Sequence, residues 1–353
     1  MKRVMRGALG LLAAVGLVAS AASTAAAEGT DRVVPQWSVA TGKTYLNVAM
    51  GKAGTVVLGT NKTMEIRRTT NGSLVCSTSN YGQATTSPTY DAANNRIFVG
   101  TTTGWVLSFN ATNCSVISGT TGPGGPALVA YGNGVVAAAF PNSSKMYGYN
   151  GSLGFIWDYV YNVPGAQEPR FINSGVILLA NANYIDAVSA SSGNSLWYHS
   201  LSFNLVGRAS APNDGRVYVS DAGNNVTAYN VSNGSLVWTR NMGTTGQLIG
   251  SKAKGRVYLA GANGKFYSMN SANGLTMCQA TTGGSYNSRP GVDSTSGSTY
   301  ATNTNGKTYK FTATCGVAWN YTTGQYAYSG PAYQQGQPSV YAVGSGKLYS
   351  FRK

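Results

Sequence analysis

A short pattern, Gly-x-Val-Tyr-Val or a close variant, returns along almost the whole chain. Its first apolar residue falls at Val56, Ile97, Val135, Val176, Val217, Val257, Thr299 and Val340, with spacings of 41, 38, 41, 41, 40, 42 and 41 residues. A period of about 40–45 residues with four short strands per unit marks propeller blades. The spacing is too even for a sandwich. One unit shows the local logic. Val217-Tyr218-Val219 alternates as a strand, and Gly223-Asn224-Asn225 turns the chain. Val226–Asn230 forms a second strand, Asn233-Gly234 a tight hairpin turn, and Leu236-Val237-Trp238 a third strand. A variable fourth strand, Gln247-Leu248-Ile249, precedes the next repeat.

A second landmark gives the count and the closure. Trp37, Cys76, Ser118, Trp157, Trp197, Trp238, Cys278 and Trp319 are spaced by 39, 42, 39, 40, 41, 40 and 41 residues. Each series has eight members, but they are out of phase at the ends. Trp37 precedes the first Val-Tyr-Val strand, and nothing equivalent follows Val340. The strand around Trp37 is therefore expected to complete the last blade. That closes the ring and removes exposed sheet edges at the seam. The expected fold is all-β: one eight-bladed propeller of four-stranded antiparallel blades over residues 28–353.

Composition agrees. Charged residues are 10% of the chain, against roughly 25% in an average domain, and 46 of 353 residues are Gly. Helical bundles, coiled coils and charged disordered chains are excluded. With one His and ten acidic residues, most hydrolytic and metal chemistries lack raw material.

Residues 1–27 read as a secretory leader. Lys2, Arg3 and Arg6 precede an apolar run over 7–22, and Ala25-Ala26-Ala27 offers a cleavage site. The run is too short and too rich in Ala and Gly for a membrane anchor. No Cys precedes Cys76, so a lipid anchor is not expected. The mature chain would be secreted or periplasmic, where disulfides persist. Its charge would be 22 basic minus 10 acidic residues, or +12. That favours anionic cell-envelope polymers or acidic glycans. Nucleic acid and a membrane span are not expected, and the chain should be a monomer.

The segment Ala228-x-Asn230-x-x-Asn233-Gly234-x-x-x-Trp238 resembles the tryptophan-docking motif A-x-D-x-x-T-G-x-x-x-W of the PQQ-like, or quinoprotein, β-propeller family. Ala187-x-Ser189-x-x-Ser192-Gly193-x-x-x-Trp197 fits as well, and Ser268-x-Asn270-x-x-Asn273-Gly274-x-x-x-Cys278 fits with Cys in the Trp place. The repeat ending at Trp157 is degraded, and Cys315-to-Trp319 is one residue out of step. The resemblance covers about residues 34–351. It extends to quinoprotein alcohol dehydrogenases and to the propeller lipoproteins of outer-membrane barrel assembly, which bind no quinone.

In that family the Trp of one blade stacks on the motif Gly peptide of the next. The resemblance therefore gives Trp37, Trp157, Trp197, Trp238 and Trp319 inter-blade docking roles. Cys76 and Cys278 occupy Trp positions. Cys114 occupies the following Gly position, and Cys315 lies at or beside one. Disulfides Cys76–Cys114 and Cys278–Cys315 are implied as covalent substitutes for docking. A zinc site is disfavoured by the single His and the lack of any C-x-x-C.

Quinoprotein enzymes hold PQQ and Ca²⁺ over the axial channel with a Glu/Asn/Asp set, a catalytic Asp and an adjacent Cys pair. This chain has no adjacent Cys pair. Of its acids only Glu168 falls in an expected channel-facing loop, and one carboxylate cannot be both calcium ligand set and base. No catalytic residue is assigned. His199 follows Trp197 on an outer strand and reads as packed or surface-exposed. No G-x-S-x-G elbow, P-loop or dinucleotide fingerprint occurs.

Loops before the innermost strands should converge on one mouth of the channel. They carry Tyr45, Asn47, Tyr81, Gln83, Gln167, Glu168, Arg170, Asn204, Arg208, Gln247, Tyr286, Asn287, Arg289, Gln325, Tyr326 and Tyr328. Glu168, Arg170, Arg208, Gln247, Arg289 and Tyr326 form the candidate ligand mouth. Arginines beside amides and phenols can bind an anion or a glycan. The expected function is an exported, non-catalytic binding or scaffold propeller that engages a protein or glycan through its channel mouth or blade edges. Two alternatives stay open: a PQQ-dependent oxidoreductase and a cell-surface lectin.

Overall fold

The computed structural model describes residues 24–25, 33–43, 45–161, 165, 167–172, 175–286, 288–324, 330–334 and 336–353. Eight sheets follow one another along the chain, each an antiparallel meander. Blade 1 comprises Tyr45–Met50, Thr55–Thr60, Thr63–Arg68 and Leu74–Ser77, from the innermost strand to the outermost. Blades 2, 3 and 4 end outward in Val116–Thr121, Phe155–Val160 and Ser195–Ser200. Blades 5, 6 and 7 end in Leu236–Asn241, Thr276–Thr281 and Val317–Thr322. Blade 8 takes Ala332–Tyr333, Ser339–Gly344 and Lys347–Arg352 from the C-terminal end, and Trp37–Ala40 completes it.

The closing strand is antiparallel to its partner, with Trp37 opposite Ser350 and Ala40 opposite Lys347. Gln36 adds side-chain bonds, its Oε1 accepting from Ser339 Oγ at 2.8 Å and Ser350 Oγ at 3.2 Å. The ring is thus zipped by segments some 300 residues apart, as the phase offset of the two landmarks requires.

Blade 5 departs from four full strands. Its innermost strand is reduced to isolated bridges, Leu205 to Asp221 and Ser210 to Tyr218. Pro212, between that strand and Arg216–Ser220, has no N–H to donate to a ladder. Blade 6 gains a strand instead, because Thr24–Ala25 runs parallel along its outer edge, with Thr24 opposite Gln279. The rest of the sequence-defined leader lies outside the described residues. No helix among the described residues is long and apolar enough to cross a membrane.

Burial explains the two kinds of strand. The second strand of blade 3, Val135–Phe140, is buried at every residue, because neighbouring blades cover both faces. Its outermost strand, Phe155–Val160, instead buries Trp157 and leaves Phe155, Ile156, Asp158 and Val160 exposed. The hydrophobic core is correspondingly divided into eight clusters, one at each blade junction.

Each junction between blades turns on one backbone position. Gly72, Cys114, Leu153, Gly193, Gly234, Gly274 and Cys315 all have φ between 60° and 73°, in the hairpin before an outermost strand. A Cβ at Gly234 would lie 2.8 Å from the Trp197 ring, and one at Gly193 2.8 Å from Trp157. Glycine therefore supplies both the left-handed backbone and the space for the indole. Each docked indole also donates from Nε1 to a carbonyl three residues before that position. Trp37 reaches Thr69, Trp157 Ala190, Trp197 Val231 and Trp238 Ser271, at 2.7–3.0 Å.

The hairpin is wider than a two-residue turn. Gly234 N donates to Asn230 O and Asn230 N to Ser235 O, so four residues lie between the paired ends. In the repeats of Trp157 and Trp319 the loop is one residue shorter, with Leu153 N and Cys315 N donating only three residues back. This is the offset visible in the sequence. It leaves Cys315 in the left-handed position, four residues before Trp319.

At two junctions cysteines occupy both places. Cys76 is joined to Cys114 and Cys278 to Cys315, each pair with Cα atoms 5.8 Å apart. Trp319 packs into the junction of blades 7 and 8, its ring 5.1 Å from that of Phe351. His199 stacks on Tyr229 at 5.1 Å beside docked Trp197, and so belongs to the packing of a junction.

Candidate functional site

The innermost strands surround an axial cavity of about 730 Å³. Glu168, Arg170, Arg208, Gln247 and Arg289, all expected at the channel mouth, line it together with Asn47 and Gln167. A common offset produces this convergence. Asn47, Gln167 and Arg208 lie nine residues before their Val-Tyr-Val landmarks, and Ser87, Gln247 and Arg289 lie ten before theirs. Ser87 was missed by sequence reasoning because only charged, amide and aromatic residues were sought there. Its offset was the available signal.

Other expected mouth residues point elsewhere. Tyr286 is buried in the core between blades 6 and 7, its hydroxyl 2.7 Å from Thr282 Oγ1. Tyr81 packs against the core between blades 1 and 2, with its ring 6.1 Å from that of Phe109. In both, an aromatic ring gains more from an inter-blade core than from a wet channel. Gln83 and Asn204 are outside the lining. Tyr326, Gln325, Tyr328, Asn287 and the Tyr45 side chain lie outside the described residues.

Charge is confined to one side of the channel. Arg170 comes from blade 4, Arg208 from the approach to blade 5, and Arg289 from the approach to blade 7. A small side recess brings all three guanidinium groups together with Glu168. Arg208 Nη1 lies 2.6 Å from Glu168 Oε2. Arg289 spans blade 6, with Nε donating to Leu248 O at 3.2 Å and Nη2 to Ser210 Oγ at 3.3 Å. The Arg170 Nε is buried without a hydrogen-bond partner.

Burial dominates the electrostatics. It pushes the Glu168 carboxyl up, against the pull of Arg208, Arg289 and Arg170. Burial lowers Arg170 to about 10, and the like charge of Arg208 adds to that, against the opposing pull of Glu168. Burial and the two other arginines lower Arg289 well below its usual value. The opposite wall, from blades 8, 1, 2 and 3, is uncharged: Asn47, Val48, Met50, Thr85, Thr86, Ser87, Leu128 and Tyr333.

The ring of these blades is an eight-bladed β-propeller, and its repeats are similar to those of PQQ-like propellers. The family model for outer membrane protein assembly factor BamB matches residues 181–352. Among solved structures, the chain is similar to BamB from Moraxella catarrhalis, with a TM-score of 0.74 and 14% identity over 91% of this chain and 100% of that one. It is similar to the computationally designed Ika8 protein, with a TM-score of 0.76 and 11% identity over 90% of this chain and 99% of that one. It is also similar to Saccharomyces cerevisiae Sqt1, with a TM-score of 0.78 and 12% identity over 90% of this chain and 98% of that one. No curated protein matches it in sequence. A natural assembly factor, a designed protein and a yeast protein share the ring equally well, so these likenesses speak to fold rather than to use.

Proposed function

We propose that this chain is an exported, non-catalytic scaffold whose outer blade edges hold a protein partner. One observation carries the reading. The outermost strands of blades 1 to 6 present exposed apolar side chains one or two residues before the position of the docking landmark. They include Leu74, Val116, Phe155, Leu196, Leu236 and Met277. Phe155 is 60% and Leu236 62% exposed. Apolar side chains arrayed in this way are a mark of interaction surfaces. Among the described residues, each such strand is paired on one side only, except in blade 6. Unpaired N–H and C=O groups beside apolar side chains suit the addition of a partner strand. On blade 6 the leader residues Thr24–Ala25 lie that way, and removal of the leader would open that edge as well. The BamB-like architecture and the two disulfides fit a scaffold working outside the cytoplasm, secreted or periplasmic.

PQQ with calcium does not fit the channel. Glu168 is the one carboxylate of the described lining, and Arg208 holds it within 2.6 Å. A calcium ion needs several anionic oxygens, and three guanidinium groups would repel it. No step is derived through the quinone.

A photo-crosslinking amino acid placed at Leu236 and at Phe155, in cells exporting the full chain, tests the reading. A discrete protein adduct at both is the expected result, lost from Leu236 when Val237→Lys is added and from Phe155 when Ile156→Lys is added. Absence of adducts together with glycan-array binding that depends on Arg289 would replace this reading with a channel-mouth lectin. Dye reduction on adding PQQ and Ca²⁺ would replace it with an oxidoreductase.

A further inference from the structure

The acids of this chain can be accounted for almost completely. Glu65 pairs with Lys43 and Arg67, Asp214 with Arg216, and Asp293 with Lys353. Asp91 and Asp221 bond their own turns, Asp158 is exposed on an outer strand, and Asp186 sits at the junction of blades 3 and 4. Only Glu28 and Asp31, near the start, fall outside the described residues. Glu168 is therefore the one carboxylate set among the three channel arginines, and it engages Arg208. Guanidinium groups do not give up their protons in proteins. Among the described residues, two positive charges are left on the recess wall without a counter-charge.

We propose that this wall is a binding site for a small dianion bearing phosphate or carboxylate oxygens. Arg289 is already held in place by Ser210 and Leu248, so its fork needs no ordering on binding. Arg170 offers a buried, unpartnered Nε in the same recess. Planar forks of this kind match phosphate and carboxylate oxygens in bidentate fashion. Gly207, with φ 74°, brings the Gln247 amide against the backbone beside Arg208, where a Cβ would collide with it. That amide adds a neutral donor to the cationic wall. The cavity, about 730 Å³, lies within the roughly 300–1,000 Å³ of small-molecule sites. Glu168 limits the matching ligand charge to two by consuming one arginine. The uncharged opposite wall leaves the rest of the ligand free of ionic demands.

Titration calorimetry on the full chain with inorganic phosphate and, separately, with succinate tests the site, with sodium chloride matching the ionic strength. Saturable binding of either is expected, and which one binds identifies the anion class. Affinity should fall at least about tenfold in Arg170→Gln and in Arg289→Gln, since a charge-assisted hydrogen bond contributes more than the equivalent of one decade. Glu168→Gln should tighten binding several-fold by freeing Arg208. Arg170→Gln relieves repulsion and its Nε gives up no hydrogen bond, so its melting temperature without ligand should not drop, whereas Arg289→Gln also loses the bonds to Leu248 and Ser210 and should melt lower. If an arginine variant nevertheless fails to fold, the Glu168→Gln direction and the comparison with chloride decide. Equal effects from chloride, unchanged affinity in both arginine variants, or weaker binding in Glu168→Gln would overturn the proposal.

Discussion

The junction between blades 5 and 6 and the junction between blades 6 and 7 solve one problem in two ways. In the first, Trp238 lies over Gly274 and donates to Ser271 O at 2.9 Å. In the second, Cys278 replaces the indole, Cys315 replaces the glycine, and a covalent bond replaces the stack. Both second residues have positive φ, 71° and 62°. The left-handed hairpin is thus the fixed element, and what grips it can change. An indole buries a large apolar surface and satisfies a carbonyl. A disulfide buries less but removes entropy from the unfolded chain. A third junction, between blades 2 and 3, has neither: Ser118 and Leu153 hold the two places, and Phe98 stacks on Tyr131 at 5.0 Å instead.

The largest effect should come from emptying a docked place. Trp238→Ala removes a nearly buried indole and leaves the Ser271 carbonyl only the long 3.4 Å bond from the Tyr218 hydroxyl. We expect a loss of about 3–5 kcal/mol, as for other buried aromatics. Denaturant unfolding checks it. An unchanged midpoint would mean that the hairpin, not its cover, carries the junction.

Much of this comparison was legible in the sequence because it depends on spacing. The 38- and 37-residue Cys separations sit on the same grid as the tryptophans; closure followed from counting blades, and the pairing from the docking pattern that the family resemblance implies. The arginines of the channel were legible for the same reason. Features that depend on competition between environments were not legible. Tyr81 and Tyr286 share the loops of the channel residues, yet core packing draws their rings away. The reduction of blade 5's inner strand to bridges also left no periodic mark. Nor does spacing reveal that a Tyr159 hydroxyl would meet Asp186 across two blades.

A smaller loss should follow from opening a staple. Replacing Cys76 and Cys114 together by Ser releases a loop of 38 residues, worth about 2–4 kcal/mol. Matched melts of the oxidised wild type and the variant should differ by that amount, and reduction should lower the variant further by opening Cys278–Cys315. The reciprocal exchange sharpens the comparison. Trp238→Cys with Gly274→Cys places thiols where the neighbouring junction carries its own, and oxidation should recover a substantial part of the Trp238→Ala deficit. Failure to form that bond in non-reducing peptide maps would show that stapled and docked hairpins differ in geometry.

The smallest effect concerns a junction that carries a tryptophan and a carboxylate together. Between blades 3 and 4, Trp157 docks on Ala190, and Tyr159 hydrogen-bonds Asp186. Burial raises the Asp186 carboxyl to about 6, while its bond with Tyr159 pulls the other way. Burial and the nearby Asp186 charge push Tyr159 up to about 12. The folded protein therefore holds the Asp186 proton more tightly than the unfolded chain does. The junction is weakened when Asp186 is ionised, above about pH 6, and strengthened as pH falls through that value. Between roughly pH 7.5 and 4.5 the gain should be on the order of 2 kcal/mol. Asp186→Asn removes this titration while keeping an oxygen for the Tyr159 hydroxyl. Its stability should be flatter over the same window and higher than wild type at neutral pH. A wild-type profile that instead falls on acidification, with Asp186→Asn following it in parallel, would place the pH dependence of the ring elsewhere. It would leave the tryptophan as the determinant of that junction.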